Sequence, residues 1–149
     1  MPYKTLSALC LAATLLAGAA HAQLAGVVKG VKGAATLDRL GSQQAVVVGA
    51  KVFTSDRIVT GADSSVGIML RDSTMLSAGP NTVLQMNKFA FNSTTHAGSI
   101  DATVKRGTVA VISGKIAKAT PENVSFSTPS MTLGVRGTEF IIDAGQRSE

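Results

Sequence analysis

The sequence predicts an all-β domain that is built from short strands. From Ile58 onwards, clusters of turn-forming residues recur about every nine residues, at 63–64, 71–73 and 79–81, and short apolar segments lie between them. No window after residue 22 has the apolar period of a long helix. Two architectures suit this pattern, a β-sandwich and a short solenoid, and periodicity alone does not choose between them.

The first 22 residues have the features of a cleaved secretory signal peptide. Lys4 supplies a positive charge, residues 6–19 form an apolar core, and Ala20-His21-Ala22 form a small-x-small cleavage site. The apolar core is shorter than the ~20 residues of a spanning helix, which argues against a membrane anchor. We therefore expect a protein of the bacterial envelope, periplasmic or secreted, that begins at Gln23 and consists of one domain over residues 23–149.

The cysteine and charge content narrow the class of protein further. Cys10 is the only cysteine and follows the bulky Leu9, so neither a lipid anchor nor a disulfide is expected in the mature chain. The formal charge is +5, yet the chain has no Trp, its one Tyr lies in the signal, and its Phe residues are not interleaved with basic ones. This composition argues against nucleic acid as a partner. The net positive charge allows weak binding of an anionic envelope polymer.

The predicted strands begin directly after the signal. Val27, Val28 and Val31 open the first strand, the apolar residues Ala35, Leu37 and Leu40 alternate with the polar residues at 36, 38 and 39 in a second, and residues 45–48 form a further short run. The later strand segments are 58–60, 66–70, 74–77, 82–86, 89–91, 100–104, 108–112, 124–126 and 138–142.

Two connecting segments have distinct compositions. Residues 89–99 are rich in Asn, Ser and Thr and predict a polar hairpin or lid. Residues 115–121 predict one short turn of helix that ends at Pro121, because proline cannot continue a helix.

The most distinctive segment is 127–140, where charged residues interrupt an apolar, strand-like run. Pro129 predicts extended backbone at Thr128, and Gly134 and Gly137 predict sharp backbone positions around Arg136. Arg136 and Glu139 form either a recognition site or an internal ion pair that fixes the last strand. We favour the structural role for this motif, because half-buried charges need partners within the fold. The motif residues are Thr128, Pro129, Gly134, Arg136, Gly137, Thr138, Glu139 and Phe140, and residues 140–142 are expected in the core.

This segment resembles the signature of the FecR-type periplasmic domain, in which a Thr-Pro segment leads to an Arg-Gly-Thr-x-Phe stretch, here residues 136–140. Two earlier blocks resemble the same family in the same order. Residues 48–61 place Asp56 at a turn before an Ile-x-Thr strand, and residues 65–82 give a strand, a turn, a second strand and a Pro-containing corner. The resemblance implies a compact, β-solenoid-like or β-roll domain, with the β-sandwich as the alternative.

The resemblance also implies a function in protein binding or signalling. In iron-uptake regulators, the FecR-type domain lies between an outer-membrane receptor and an inner-membrane helix and passes a signal to a sigma factor. Because this chain has its own leader and lacks a spanning helix and a sigma-binding segment, we expect a separate binding module with a protein partner in the envelope. The alternative is a structural envelope component that self-associates through strand edges or binds cell-envelope polysaccharide.

The chain offers little for catalysis. His96 is the one histidine after the signal, no carboxylates show metal-ligand spacing, and no Gly-x-Ser-x-Gly elbow is present. Asp72-Ser73-Thr74 is similar to the Asp-Thr/Ser-Gly of aspartic proteases, but Thr74 stands where glycine is needed, so Asp72 is interpreted as a turn residue. We therefore predict a non-enzyme without catalytic, cofactor-binding or metal-binding residues.

Overall fold

The computed structural model describes residues 22–135 and 137–146, and within these residues the fold is almost entirely β. The twelve strands are β1 (Leu24–Lys32), β2 (Ala35–Arg39), β3 (Ser42–Ala45), β4 (Lys51–Phe53), β5 (Arg57–Thr60), β6 (Ser65–Leu70), β7 (Met75–Ala78), β8 (Val83–Phe91), β9 (Gly98–Ile112), β10 (Val124–Ser127), β11 (Thr132–Gly134) and β12 (Glu139–Gly145). One helix, α1 (Lys115–Ala119), and a 3-10 turn (Pro121–Asn123) connect β9 to β10. The all-β prediction is confirmed.

All twelve strands belong to one sheet that curls strongly into half a barrel. The main path is β3-β2-β5-β8-β9-β7-β6-β1-β4, while β10 and β12 also pair with β9 and β11 pairs with β10. Every ladder is antiparallel except that between β9 and β10. The solenoid-like arrangement is therefore not confirmed, because the strands do not stack as successive parallel coils.

The fifteen-residue strand β9 joins the two halves of the sheet. Residues 98–106 pair with β8, and residues 100–103 also pair with β10. Residues 107–112 pair with β12, and the last four of them also pair with β7. The change of partners falls at Gly107, whose φ of +85° is a conformation that glycine adopts without steric cost. A break in the register opposite Val83 marks a bulge at the same place.

Buried threonines fix this corner of the sheet. Thr82 Oγ1 accepts the N–H of Thr108 at 3.1 Å and lies 3.2 Å from the carbonyl oxygens of Pro80 and Thr108, to either of which it donates. Thr60 Oγ1 accepts the N–H of Thr82 at 2.9 Å and donates to the carbonyl of Gly79 at 2.6 Å. Thr60 and Thr82 are buried, so these bonds satisfy hydroxyls that water does not reach.

The apolar core follows the alternation of the strands. In β6, Val66, Ile68 and Leu70 are buried while the residues between them are half-buried, which is the pattern of a strand with one inner and one outer face. The largest fully buried side chains are Phe89, Phe126, Leu37, Ile58, Ile68, Leu70, Leu76, Leu84, Ile100, Ile116 and Ile142.

The prediction for residues 40–48 placed the strand residues at the wrong positions. Leu40 does not continue β2 but lies in a tight turn, with a φ of +52° and an exposed fraction of 91%. The next strand is Ser42–Ala45, and Val47 and Val48 are exposed after it. The reason is the turn at Leu40-Gly41, which starts the hairpin earlier than the apolar run indicates.

The later elements agree more closely with the predictions. Residues 89–99 form the hairpin between β8 and β9, and the helical turn at 115–119 ends before Pro121. The predicted segments 100–104 and 108–112 form one strand, β9, because Gly107 bends this strand without breaking it. The predicted segments 82–86 and 89–91 likewise form one strand, β8, which continues through a bulge. The short strands β4 and β11 were not predicted.

Replacing Gly107 tests the importance of this corner. A Cβ at this position would contact Thr82 Oγ1 and lie 2.6 Å from Thr82 Cα, in a backbone conformation that alanine disfavours. Gly107→Ala is expected to lower the free energy of unfolding by about 2–5 kcal/mol, measured by urea denaturation. Gly41→Ala is the matched control, since Gly41 has a φ of +83° with no atom within 4 Å of a Cβ, and only about 1–2 kcal/mol should be lost. Equal losses would contradict a packing role for Gly107.

Candidate functional site

The predicted motif is distributed over a hairpin and the last strand. The N–H of Thr128 donates to the carbonyl of Met131 at 2.8 Å, which places Pro129 and Ser130 at the tip of the hairpin between β10 and β11. Gly134 lies in β11 and has no positive φ, whereas Gly137 has a φ of +114°. Arg136 lies outside the described residues, so its predicted pairing with Glu139 stays a prediction.

Strand β12 holds the end of the motif against β9. Phe140 is half-buried and packs edge to face on Phe126, with ring centroids 5.7 Å apart. Ile142 is buried, but Ile141 is 73% exposed, so the prediction that Ile141 is a core residue was wrong. The reason is strand alternation, which turns Glu139, Ile141 and Asp143 to the outer face.

The β12 edge, residues 139–145, is open to a partner. Within the described residues, β9 is the only ladder partner of β12. Beside it lies the outer apolar row, formed by residues that pair across β1, β6, β7 and β9: Val27, Met69, Met75 and Ile112. Ile112 is 49% exposed and faces Glu139 across the ladder, so the outer apolar row reaches the β12 edge.

An ion pair between the buried Asp56 and the half-buried Arg39, which no sequence pattern predicted, links β2 to the turn before β5. Asp56 is 1% exposed and receives hydrogen bonds from Arg39 Nε at 2.9 Å, Arg39 Nη2 at 2.8 Å and the N–H of Phe53 at 2.8 Å. The Arg39 guanidinium also donates to the carbonyl of Lys51 and lies over the Phe53 ring. Asp56 stood out in the family-like block at 48–61, but nothing local in the sequence marked Arg39 as its partner.

The electrostatics of this pair favour its charged form. The hydrogen bond from Arg39 to Asp56, reinforced by their opposite charges, raises the pKa of the Arg39 guanidinium above its usual value, against a smaller opposing effect of burial. A raised folded pKa means that this contribution to stability is complete below the unfolded pKa of arginine and is lost only as pH rises through the folded one. Arg39 therefore stays charged at physiological pH.

A second buried carboxylate, that of Asp72, fixes the start of α1. Asp72 Oδ2 accepts the Oγ1–H of Thr74 at 2.8 Å and the N–H of Ile116 at 3.1 Å, and Asp72 Oδ1 accepts the N–H of Thr74. Its backbone carbonyl accepts the N–H of Lys115, and Thr74 Oγ1 accepts that of Gly114. Asp72 is thus a turn residue, as interpreted from the sequence, whose side chain is fully engaged within the fold.

The remaining polar residues do not assemble a reaction centre within the described part of the chain. His96 lies in the turn between β8 and β9, where its ring stacks on that of Phe91 with the ring centroids 6.3 Å apart. No group of three or more His, Cys, Asp or Glu residues able to hold a metal ion occurs among residues 22–135 and 137–146. The same residues contain no helix long and apolar enough to cross a membrane.

Comparison with known proteins gives one family. A family model described as FecR protein matches residues 56–149, which is more than half of the chain and includes both the Asp72 turn and the β12 edge. Neither the curated proteins nor the solved structures contain a significant match.

The Arg39–Asp56 pair should be a structural element. Arg39→Ala leaves the Asp56 carboxylate with only the Phe53 N–H, but Arg39 is 34% exposed and water can reach the space that its side chain leaves, so we expect a loss of about 1–3 kcal/mol in the free energy of unfolding. Adding Asp56→Ala should cost less than the sum of the single changes, because the stranded charge is then gone.

The matched control is Arg57→Ala, which removes an exposed arginine on β5 and should change stability by less than about 0.5 kcal/mol. Denaturant midpoints of the four variants measure these effects. Additive losses for Arg39 and Asp56 would show that the two residues do not act as a pair.

Proposed function

We propose that this chain, which belongs to the FecR protein family, works as an exported protein-binding or signalling module in the periplasm. The family is a regulatory or signalling one and is not known for enzymatic activity. The chemistry of the described residues supports a binding role, since the two buried carboxylates are used to hold turns together.

The β12 edge is the observation that carries the proposal. It lies within the family match, exposes Ile141 and adjoins the half-exposed Ile112. An edge strand with unpaired backbone groups and exposed apolar side chains is a common surface for binding another protein.

Export and periplasmic location rest on the first 22 residues. Their charged start, apolar core and small-x-small site at Ala20-His21-Ala22 are the features of a cleaved signal, and most FecR domains act in the envelope. These residues before Ala22 lie outside the described part of the structure.

For the motif at residues 128–140 we propose a structural role, with binding dependent on it. Two contacts and one backbone conformation support this role: the Thr128 turn, the packing of Phe140 on Phe126 and the positive φ of Gly137. Each of them positions β12 or the hairpin next to β9 rather than presenting a side chain to solvent.

A self-associating envelope component is the second candidate. The described sheet has free edges at β3, β4, β11 and β12, and such edges can pair with other copies. The acidic residues on either side of Ile141 argue against this pairing at β12, as shown below.

Export predicts a defined N-terminus. When the full chain is produced in a bacterium and the periplasmic fraction is purified, peptide mass mapping should find Gln23, or its cyclised form, as the first residue. An exported product that still contains residues 1–22 would refute the signal assignment.

The oligomeric state separates the two candidate functions. Size-exclusion chromatography with light scattering should show a monomer across a hundredfold range of concentration, and a larger species only when an envelope extract supplies a partner. Oligomers that grow with the concentration of the purified protein alone would support the structural component instead.

A further inference from the structure

We infer that the β12 edge binds an extended segment of its partner by strand addition, and that this segment carries a basic residue two positions before and two positions after an apolar one. The inference rests on the proposed function, because it takes the partner to be a protein. It adds the chemistry that the partner must have.

The hydrogen bonds of β9 show which backbone groups of β12 are unused. The carbonyl of Thr138 accepts the N–H of Ser113, and the N–H of Gly79 donates to the carbonyl of Thr108 on the opposite side of β9. In an antiparallel ladder the bonded pairs alternate, so residues 140 and 142 bond to β9 while residues 139, 141 and 143 point their N–H and C=O groups away from it. These outward groups form a ready template for another strand.

The side chains of the same three residues define the partner. Glu139, Ile141 and Asp143 are all exposed and lie on one face of the strand. Directly opposite residues on neighbouring strands lie close enough for opposite charges to attract and for apolar side chains to pack. A complementary strand therefore places an apolar residue beside Ile141 and a lysine or arginine beside each acid.

The surroundings of Ile141 support an apolar contact at the centre. Ile141 pairs with the small residue Ala110, and Ile112 is exposed next to it on β9. Asp143 Oδ1 accepts the N–H of Gly145 at 2.8 Å, which fixes the carboxylate near the end of the strand. Its other oxygen has no hydrogen-bond partner among the described residues.

A second copy of the chain fits this edge poorly. In an antiparallel pair of two β12 strands centred on Ile141, Glu139 of one copy lies opposite Asp143 of the other, and this happens twice. Like charges directly opposite each other destabilise a strand pair. The same acids that repel a second copy attract a basic segment.

The other free edges of the described sheet are less suitable. Strands β4 and β11 have three residues each, and β3 has four, with the polar sequence Ser42-Gln43-Gln44-Ala45. The β12 edge is longer at seven residues and is the one with an exposed isoleucine between two acids. It is therefore the edge on which strand addition gains most.

The test uses two designed peptides and the purified protein. The basic probe is a capped nonapeptide with the sequence Thr-Thr-Lys-Thr-Val-Thr-Lys-Thr-Thr, and the acidic probe has Glu in place of both Lys residues. Titration followed by amide NMR should show that the basic probe binds about tenfold more tightly, since two attractive pairs become two repulsive ones. Amide exchange should slow at residues 139, 141 and 143 only when the basic probe is bound.

Two sets of variants locate the site. Ile141→Pro removes an N–H that points away from β9, so it should abolish binding while the sheet is retained. Gln43→Pro is the matched control, because Gln43 lies on β3 and its N–H also points away from its ladder partner on β2, so binding should persist. The double change Glu139→Lys and Asp143→Lys should invert the preference in favour of the acidic probe.

The outcomes separate this inference from the proposed function. Equal affinity for both probes, or wild-type binding by the double lysine variant, would overturn the inference. Dimers of the purified protein that Ile141→Pro dissociates would also overturn it, by making a second copy the occupant. If an envelope protein binds with equal affinity to the wild-type chain and to Ile141→Pro, the proposed function stands and the inference fails. If the basic probe binds at the β12 edge but no envelope protein binds the chain, the edge has the inferred specificity and the proposed function fails.

Discussion

The fold depends on β9, which bends at Gly107 while it stays paired with strands on both of its sides. β9 is the strand through which β8 and β10 in one half are joined to β7 and β12 in the other. A residue with a side chain at Gly107 would meet Thr82, and a broken strand would leave backbone groups unpaired inside the sheet. Glycine at one position, with threonine hydroxyls around it, allows the sheet to curl and remain continuous.

The same constraint explains how the buried polar groups of the described residues are used. The corners bring backbone N–H and C=O groups into places that water does not reach, and side chains must bond them there. Thr60, Thr82, Asp56 and Asp72 do this, and no buried side-chain polar atom in the described residues lacks a partner. Within the described residues, these side chains therefore serve to complete the fold.

Much of the fold could be predicted from local signals in the sequence. Pro121 marked the end of the helix, Asp72 was interpreted as a turn residue, and the composition of residues 89–99 predicted a polar hairpin or lid, of which the structure shows the hairpin. Contacts between distant residues were beyond such signals. Arg39 and Asp56 are 17 positions apart in the sequence. They lie close together because β2 and β5 pair as antiparallel neighbours in the sheet.

The candidate site was likewise predicted from local signals only in part. The motif predicted that residues 128–140 matter, but an apolar run such as Phe140-Ile141-Ile142 does not reveal which residues face inward. That depends on the register with β9, which buries Ile142 and leaves Ile141 exposed. Strand alternation alone places Glu139, Ile141 and Asp143 on one face, but no pattern in the sequence showed that this is the outer face or that β12 lacks a second partner in the described sheet.

An exposed apolar residue on an edge strand is normally a liability, because identical edges attract one another. Charges beside it reduce that risk, and here they are of one sign in a chain whose formal charge is +5. Two acids placed symmetrically about Ile141 make the edge unfavourable for its own copy in the antiparallel register but not for a basic strand. Protection from self-association and selection of a partner thus follow from the same two side chains, so a binding edge can remain exposed without pairing to itself.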